Sequence, residues 1–243
     1  VYADSTWGLR WTSDGHPRSG DPVSEVRWFH ASEHLDVDDL YAWSEQVSSK
    51  GRIPEILVVD DEHAVVTYRV ARSEPKGMMG GFTETDLEHI AGLSSSLLDN
   101  GGRFIVDSDN WPEERIGVPH PGGRVLDAST NQMVDSHNDA GQDTVGADIL
   151  RDLLRRGLHP RPGFKYGTRW RCYDRTLGKS HAPWLIIHPA EAPHDWRGAC
   201  LASRLASGVG KTWLHPLRID GVWSYLSITR PPADSRWNNP NRR

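Results

Sequence analysis

Cysteine is scarce in this chain: among 243 residues only Cys172 and Cys200 occur. Two thiols make no disulfide scaffold, and neither has a metal-ligand partner at a useful spacing, so both are read as reduced. No HExxH, CxxC or comparable cluster appears among the twelve histidines, so no catalytic metal and no cofactor are expected. No apolar run is long enough to span a bilayer and the N-terminus is not signal-like. With 37% apolar content, these absences point to a cytoplasmic protein of one or two compact domains with no membrane partner.

Charge is present but unevenly placed. The net charge is −5, yet residues 151–243 hold 17 Lys+Arg against 6 Asp+Glu, while residues 1–150 hold 11 against 27. A basic half suits a phosphate-backbone ligand, and salt should weaken that binding. Part of the excess lies in a basic tail, 234–243.

That basic half carries the chemistry-bearing residues. It reads G-F-K-Y-G-T-R-W-R-C-Y-D-R-T-L-G-K-S-H-A-P-W-L-I-I from Gly163, followed by S-R-L-A-S-G-V-G-K-T-W-L. Singly, a Tyr closing a strand is usually a packed aromatic, a His a satisfied polar residue and a Lys before a strand a solvated cation. Together with Gly163, Tyr166, Gly167, Trp184 and Arg204, the pattern closely resembles the catalytic domain of archaeal tRNA-splicing endonucleases of the duplicated-subunit type. The resemblance is specific over 144–233, moderate over 24–72 and weak elsewhere.

What the resemblance implies is a metal-independent endoribonuclease that excises introns from precursor tRNA at bulge-helix-bulge junctions, with Tyr173, His181 and Lys211 as its triad. Cutting RNA through its own 2′-hydroxyl needs a base, an acid for the leaving 5′-oxygen and a cation beside the phosphorane. Imidazole, with a pKa near ~6.5, supplies the acid, and lysine the charge. A phenol of pKa near ~10 serves as base only when a neighbouring cation lowers that value, and Lys211 is the obvious candidate. The products implied are a 2′,3′-cyclic phosphate and a 5′-hydroxyl. Arg204 matches a family arginine that holds a flipped-out base of the bulge, and Trp223 or Arg230 is available for the base's other side. A non-catalytic, tRNA-binding subunit is the alternative.

A rival motif, Gly208-Val-Gly-Lys-Thr212, looks like the end of a phosphate-binding loop. The full motif needs a glycine where Leu205 stands, and it needs a strand before and a helix after, the reverse of the order here.

The chain also repeats itself faintly. Residues 24–71 follow the same order as the segment from Ser180 through the hairpin at Leu217–Tyr225, pairing Trp28 with Trp184 and Lys50 with Lys211 if the second copy has a longer loop. In that register Glu25 stands in place of His181 and Trp11 near the place of Tyr173, so the first copy lacks acid and base. Family subunits of this kind form homodimers, in which an acidic loop of the inactive copy enters a basic cleft of the partner. Asp60, Asp61 and Glu62 fill that description, although Asp-rich hairpin turns are also common in solvent.

The fold expected is α/β (α+β), with small mixed sheets and flanking helices. Residues 1–76 form the inactive repeat, 77–143 a small α/β subdomain with long loops after 107, 144–233 the catalytic domain and 234–243 the tail. Pro75–Gly81 reads as a linker. Thr83 to Asp86 caps a helix whose apolar spacing continues to Leu98, and Arg103–Val106 and Gly123–Leu126 read as short strands. An amphipathic helix runs from Val145 to Arg156, and a hairpin turns at Asp220-Gly221. Duplicated relatives usually carry another small subdomain ahead of the first copy, so a chain starting at Val1 is expected to be a fragment or a shortened form.

Overall fold

The computed structural model describes residues 2–3, 6–12, 15, 17–18, 20–106, 110–135 and 144–232. The tail 234–243 lies outside the described residues. In chain order the elements begin with β1 (Tyr2–Ala3), β2 (Trp7–Arg10), β3 (Ser24–His30), α1 (Val37–Ser49), β4 (Ile53–Val59) and β5 (Val65–Ser73). There follow α2 (Glu84–Ala91), β6 (Ser95–Leu97), β7 (Arg103–Val106), β8 (Val118–His120), β9 (Gly123–Leu126), α3 (Ala128–Val134) and α4 (Thr144–Arg155). The chain continues through β10 (His159–Pro162), β11 (Trp170–Tyr173), β12 (Trp184–Ile186), α5 (Trp196–Gly208), β13 (Thr212–Ile219) and β14 (Val222–Thr229). The expected mixed α/β class is what the structure shows.

Two compact bodies divide the chain. The first comprises residues 1–74, 163–169 and 184–243, and the second 75–162 and 170–183. The segment 144–233 is therefore shared between them.

In the first body the strand order is β1-β2-β3-β4-β5-β14-β13-β12. The β3/β4 and β12/β13 pairs are parallel and the others antiparallel. Alternation puts Ile56, Val58, Tyr68, Val70, Trp213, Leu217, Leu226 and Ile228 on one face. There they share a single buried cluster with Leu40, Trp43 and Val47 of α1 and Trp196, Ala199 and Ala206 of α5. Both helices thus cover the same side of the sheet. The predicted hairpin turns at Asp220-Gly221, where φ is 49° and 80° between the paired Ile219 and Val222.

The repeat is present, in a different register from the one read in the sequence. Each copy is a strand, a helix, a parallel strand and a hairpin. Asp36 and Asp195 cap α1 and α5, accepting from Asp39 N and Gly198 N. Both helices end at a left-handed glycine, Gly51 (φ 70°) and Gly210 (φ 64°). The next residue donates back into the last turn, Arg52 N to Val47 O at 3.3 Å and Lys211 N to Ala206 O at 2.9 Å. Arg52, not Lys50, is therefore the counterpart of Lys211, and no longer loop is needed. Likewise Ser24 pairs with Ile53 as Trp184 pairs with Thr212, so Ser24, not Trp28, matches Trp184. Counting back, the counterpart of His181 is Asp21 rather than Glu25, and the first copy still lacks an imidazole there. Trp28 and Trp184, alike in type, thus stand at non-equivalent positions of the two copies. The copies meet through β5 and β14, where the equivalent residues Val70 and Ile228 face each other.

The second body holds an antiparallel sheet of order β6-β7-β9-β8 and the hairpin β10–β11. The capping box of Thr83 and Asp86 starts α2 as expected. The helix stops at Ala91 rather than running on to Leu98, because Gly92 closes it and Ser95–Leu97 pairs with β7 instead. The apolar spacing through Leu97 belongs to a strand residue that is 75% exposed. Within the stretch expected to be loop, Asp127 caps α3 by accepting from Thr130 N, and Val118–His120 pairs with β9. Helix α4 buries Ile149, Leu150, Leu153 and Leu154, and Gly157 (φ 73°) ends it. The segment read as a linker is held in place: Gly77 N donates to Arg156 O, Met79 N to Gly157 O and Met78 N to Asp174 O at 2.8 Å.

Candidate functional site

Tyr173 ends β11 in the second body. Cys172 beside it is fully buried and points to the opposite face, as alternation predicts, and burial pushes its thiol pKa up. Tyr173 itself is half-buried. Its cross-strand partner is His159, whose ring lies 6.5 Å away, edge-on at 72°. Arg171, two residues back on the same face, sits with its guanidinium carbon 5.8 Å from the Tyr173 ring centre. Arg161 pairs with Arg171 and completes this face.

The sequence names only Lys211 as a cation near the phenol, whereas Arg161 and Arg171 share the Tyr173 face. The signal was there: His159-x-Arg161 and Arg171-x-Tyr173 have strand period. Arg161 is buried, donating to the carbonyls of Arg115 and Glu114, both at 3.0 Å. Burial lowers its pKa to about 10, with Arg124 adding to the effect and Tyr173 opposing it. His159 is 2% exposed, and neither ring nitrogen has a hydrogen-bond partner among the described residues. Burial, then Arg161 and Arg115, lower its pKa to about 3, so it is neutral at physiological pH.

A turn follows Tyr173 and returns at His181. Ser180 Oγ donates to Asp174 Oδ1 at 3.0 Å and closes it, with Gly178 (φ 87°) supplying the left-handed residue. Asp174 O is the acceptor for Met78 N, so the base of the turn is anchored on both sides. His181 follows Ser180 and is exposed. The structure thus brings Tyr173 and His181 to the two ends of one braced turn.

Lys211 belongs to the first body, just past the glycine that ends α5. Its Nζ lies 5.5 Å from the centre of the Tyr166 ring. Tyr166 is held by a short helical turn, Phe164–Tyr166, that Gly167 (φ 65°) terminates. The Lys-Tyr-Gly motif therefore positions an aromatic under this lysine.

Arg204 is exposed on α5, one turn after Cys200. The charges of both Arg204 and Arg230 reach the Tyr68 hydroxyl and the Cys200 thiol, whose pKa values burial raises. Tyr68 Oη donates to Cys200 O at 3.3 Å. Arg230 follows Thr229, which pairs with Arg69 beside Tyr68, and Tyr68 is hydrogen-bonded to Cys200 one turn before Arg204. Trp223 stands at the other end of β14, under Arg218 at 5.4 Å.

The acidic hairpin 60–63 is largely self-organised. Asp60 Oδ1 accepts from Glu62 N and Ala64 N at 3.0 and 2.8 Å, and His63 has φ 59°. Asp61 and Glu62 remain exposed, with Asp61 3.1 Å from His30 Nε2. Among the described residues no group of His, Cys, Asp or Glu is placed to hold a metal, and no helix is long and apolar enough to cross a membrane.

Residues 147–219 match the tRNA intron endonuclease family, catalytic C-terminal domain. Similar proteins include the tRNA-splicing endonuclease of Thermoplasma volcanium, 29% identical over 71% of this chain and 53% of that protein. That of Picrophilus torridus is 27% identical over 85% of this chain and 63% of its own length. That of Natronomonas pharaonis is 34% identical over 34% of this chain and 26% of its own. The chain spans between half and two thirds of the first two relatives.

Proposed function

We propose that this chain is a metal-independent endoribonuclease that cuts precursor tRNA at bulge-helix-bulge junctions. The observation that carries the reading is the match of 147–219 to the tRNA intron endonuclease catalytic domain, a span that contains Tyr173, His181 and Lys211 together. Tyr173 takes the proton of the 2′-hydroxyl, whose oxygen then attacks the adjacent phosphorus. His181 protonates the departing 5′-oxygen, and Lys211 stabilises the charge on the phosphorane. The bond formed is O2′–P and the bond broken is P–O5′, leaving a 2′,3′-cyclic phosphate and a 5′-hydroxyl with no water consumed.

The setting of each group supports its role. An exposed imidazole at the end of a braced turn is accessible to a large substrate, and Arg161 and Arg171 on the Tyr173 face place cations where a phosphate must approach. Arg230, at the end of β14 that pairs beside Tyr68 and so on the side of the Tyr68–Cys200 hydrogen bond, suits the far side of a base held by Arg204 better than Trp223 at the other end of the strand. Asp61 and Glu62 are proposed to dock in a basic cleft of a second copy, giving a homodimer.

The test is cleavage of a bulge-helix-bulge RNA in excess EDTA by the wild type and by His181→Ala. Loss of cutting with retained RNA binding is expected for the variant. An RNA that binds the wild type but is not cut would favour a non-catalytic, tRNA-binding subunit.

A further inference from the structure

The first copy, which lacks an imidazole at the place of His181, contains a groove of about 550 Å³. Its floor is the helix-facing side of β2 and β3, where Trp7 pairs with Arg27 and Leu9 with Glu25. Its wall is Trp43, Gln46 and Lys50, which lie along one face of α1 and its cap at helical spacing. Arg52 closes one end.

Two features within it point to a ligand class. The first is planar and apolar: Trp7 is 39% exposed, and its cross-strand partner Arg27 has its guanidinium carbon 4.7 Å from the Trp43 ring centre. Arg27 is fixed there by Asp39 at 2.5 Å. An exposed indole next to a clamped guanidinium is a stacking surface for a flat ring.

The second feature is charge. Lys50 Nζ and Arg52 Nη1 both bond the same oxygen of the nearly buried Glu25, at 3.0 and 2.7 Å. Lys50 and Arg52 thus stand as two cationic donors beside the stacking surface, with Glu25 and the rim carboxylate of Glu33 as the acidic groups of the lining. On the rim, Glu33 is engaged by the backbone N–H of His30. Arg52 is also the structural counterpart of Lys211, so the two copies present a cation at the same point of the same fold.

A flat ring next to a single negative charge is the chemistry of a nucleotide. We propose that this groove binds an unpaired nucleotide of an RNA strand, with its base against Trp7 and Arg27 and its phosphate on Lys50 and Arg52. The choice of RNA rather than a free nucleotide rests on the function proposed above and on the open, strand-edge setting of the groove.

Binding of a single-stranded oligoribonucleotide with methylated 2′-hydroxyls, which cannot be cut by the proposed route, tests this without reference to cleavage. Fluorescence anisotropy of the labelled oligonucleotide would be measured for the wild type, Trp7→Ala, the double variant Lys50→Ala/Arg52→Ala, and Glu25→Gln. We expect about a tenfold loss of affinity for Trp7→Ala and for the double variant. Glu25→Gln, which releases both cations, should tighten binding about threefold, a gain that a misfolded variant could not produce. Unchanged affinity in Trp7→Ala and Glu25→Gln would overturn the proposal. So would saturation of the groove by AMP with no binding of the oligonucleotide, which would assign a free nucleotide instead. Failure of the wild type to cut any RNA, with this binding pattern intact, would reject the proposed nuclease and leave the groove standing.

Discussion

His159 is the residue whose energetics are most exposed to experiment. It is buried neutral with its pKa near about 3, against ~6.5 in an unfolded chain. Above pH ~6.5 both states are neutral and the residue imposes no pH dependence. As pH falls from ~6.5 towards 3, only the unfolded chain takes the proton, so stability is lost by about 1.4 kcal/mol per pH unit. His215, also buried with its pKa lowered, acts in the same direction, so the comparison must be with a variant. Urea denaturation of His159→Phe should show a shallower loss of stability between pH 6.5 and 4 than the wild type; parallel curves would contradict the assignment. Arg204→Ala and Arg230→Ala should each raise KM for a bulged RNA with little change in melting temperature, while Trp223→Ala should leave KM unchanged. An equal effect of Trp223→Ala would argue against the paired-arginine reading. The triad candidates were legible at this scale because their types and order match a known pattern. His159-x-Arg161 has the period of a strand, but the period does not say which strand it pairs with, so its place beside Tyr173 was not legible.

At the scale of elements, caps and glycines decide where the chain turns. Asp195 holds the start of α5, and Asp195→Ala should cost about 1 kcal/mol in urea denaturation. A larger constraint lies in the segment read as a linker. A Cβ on Gly77 would meet Gly157 O at 1.9 Å, and this is backbone that cannot swing aside. Gly77→Ala should therefore destabilise by about 1–3 kcal/mol and disturb the turn that carries Tyr173 and His181, since Met78 N bonds Asp174 O. A variant as stable and as active as the wild type would count against that coupling. Local signals of this kind, such as the capping box of α2 and the Asp-Gly hairpin, were readable directly. What failed was the end of α2, where leucine spacing suggested helix although Gly92 closes it and Ser95–Leu97 finds its backbone partners on β7, and the short α3, hidden among polar residues.

For the whole molecule, the sequence indicated a duplication and the structure sets its register. The order of strand, helix, strand and hairpin was legible because it repeats. The alignment slipped because the tryptophans, the most conspicuous residues, are not equivalent, whereas the helix-terminating glycines are. The division into two bodies could not be read from the chain, since its boundaries cut through 144–233, assigning 163–169 and the residues from 184 onward to one body and 170–183 to the other. If Asp61 and Glu62 dock on a second copy, Asp61→Lys/Glu62→Lys should halve the mass in solution while Asp60, which holds the turn, stays intact. An unchanged mass would reject the interface. The central claim is reached most directly by incubating the protein with a bulge-helix-bulge RNA in excess EDTA and identifying the product ends. Two cuts leaving 2′,3′-cyclic phosphate and 5′-hydroxyl ends, abolished in His181→Ala, are the expected result; 3′-hydroxyl ends, or cutting that survives that substitution, would contradict it.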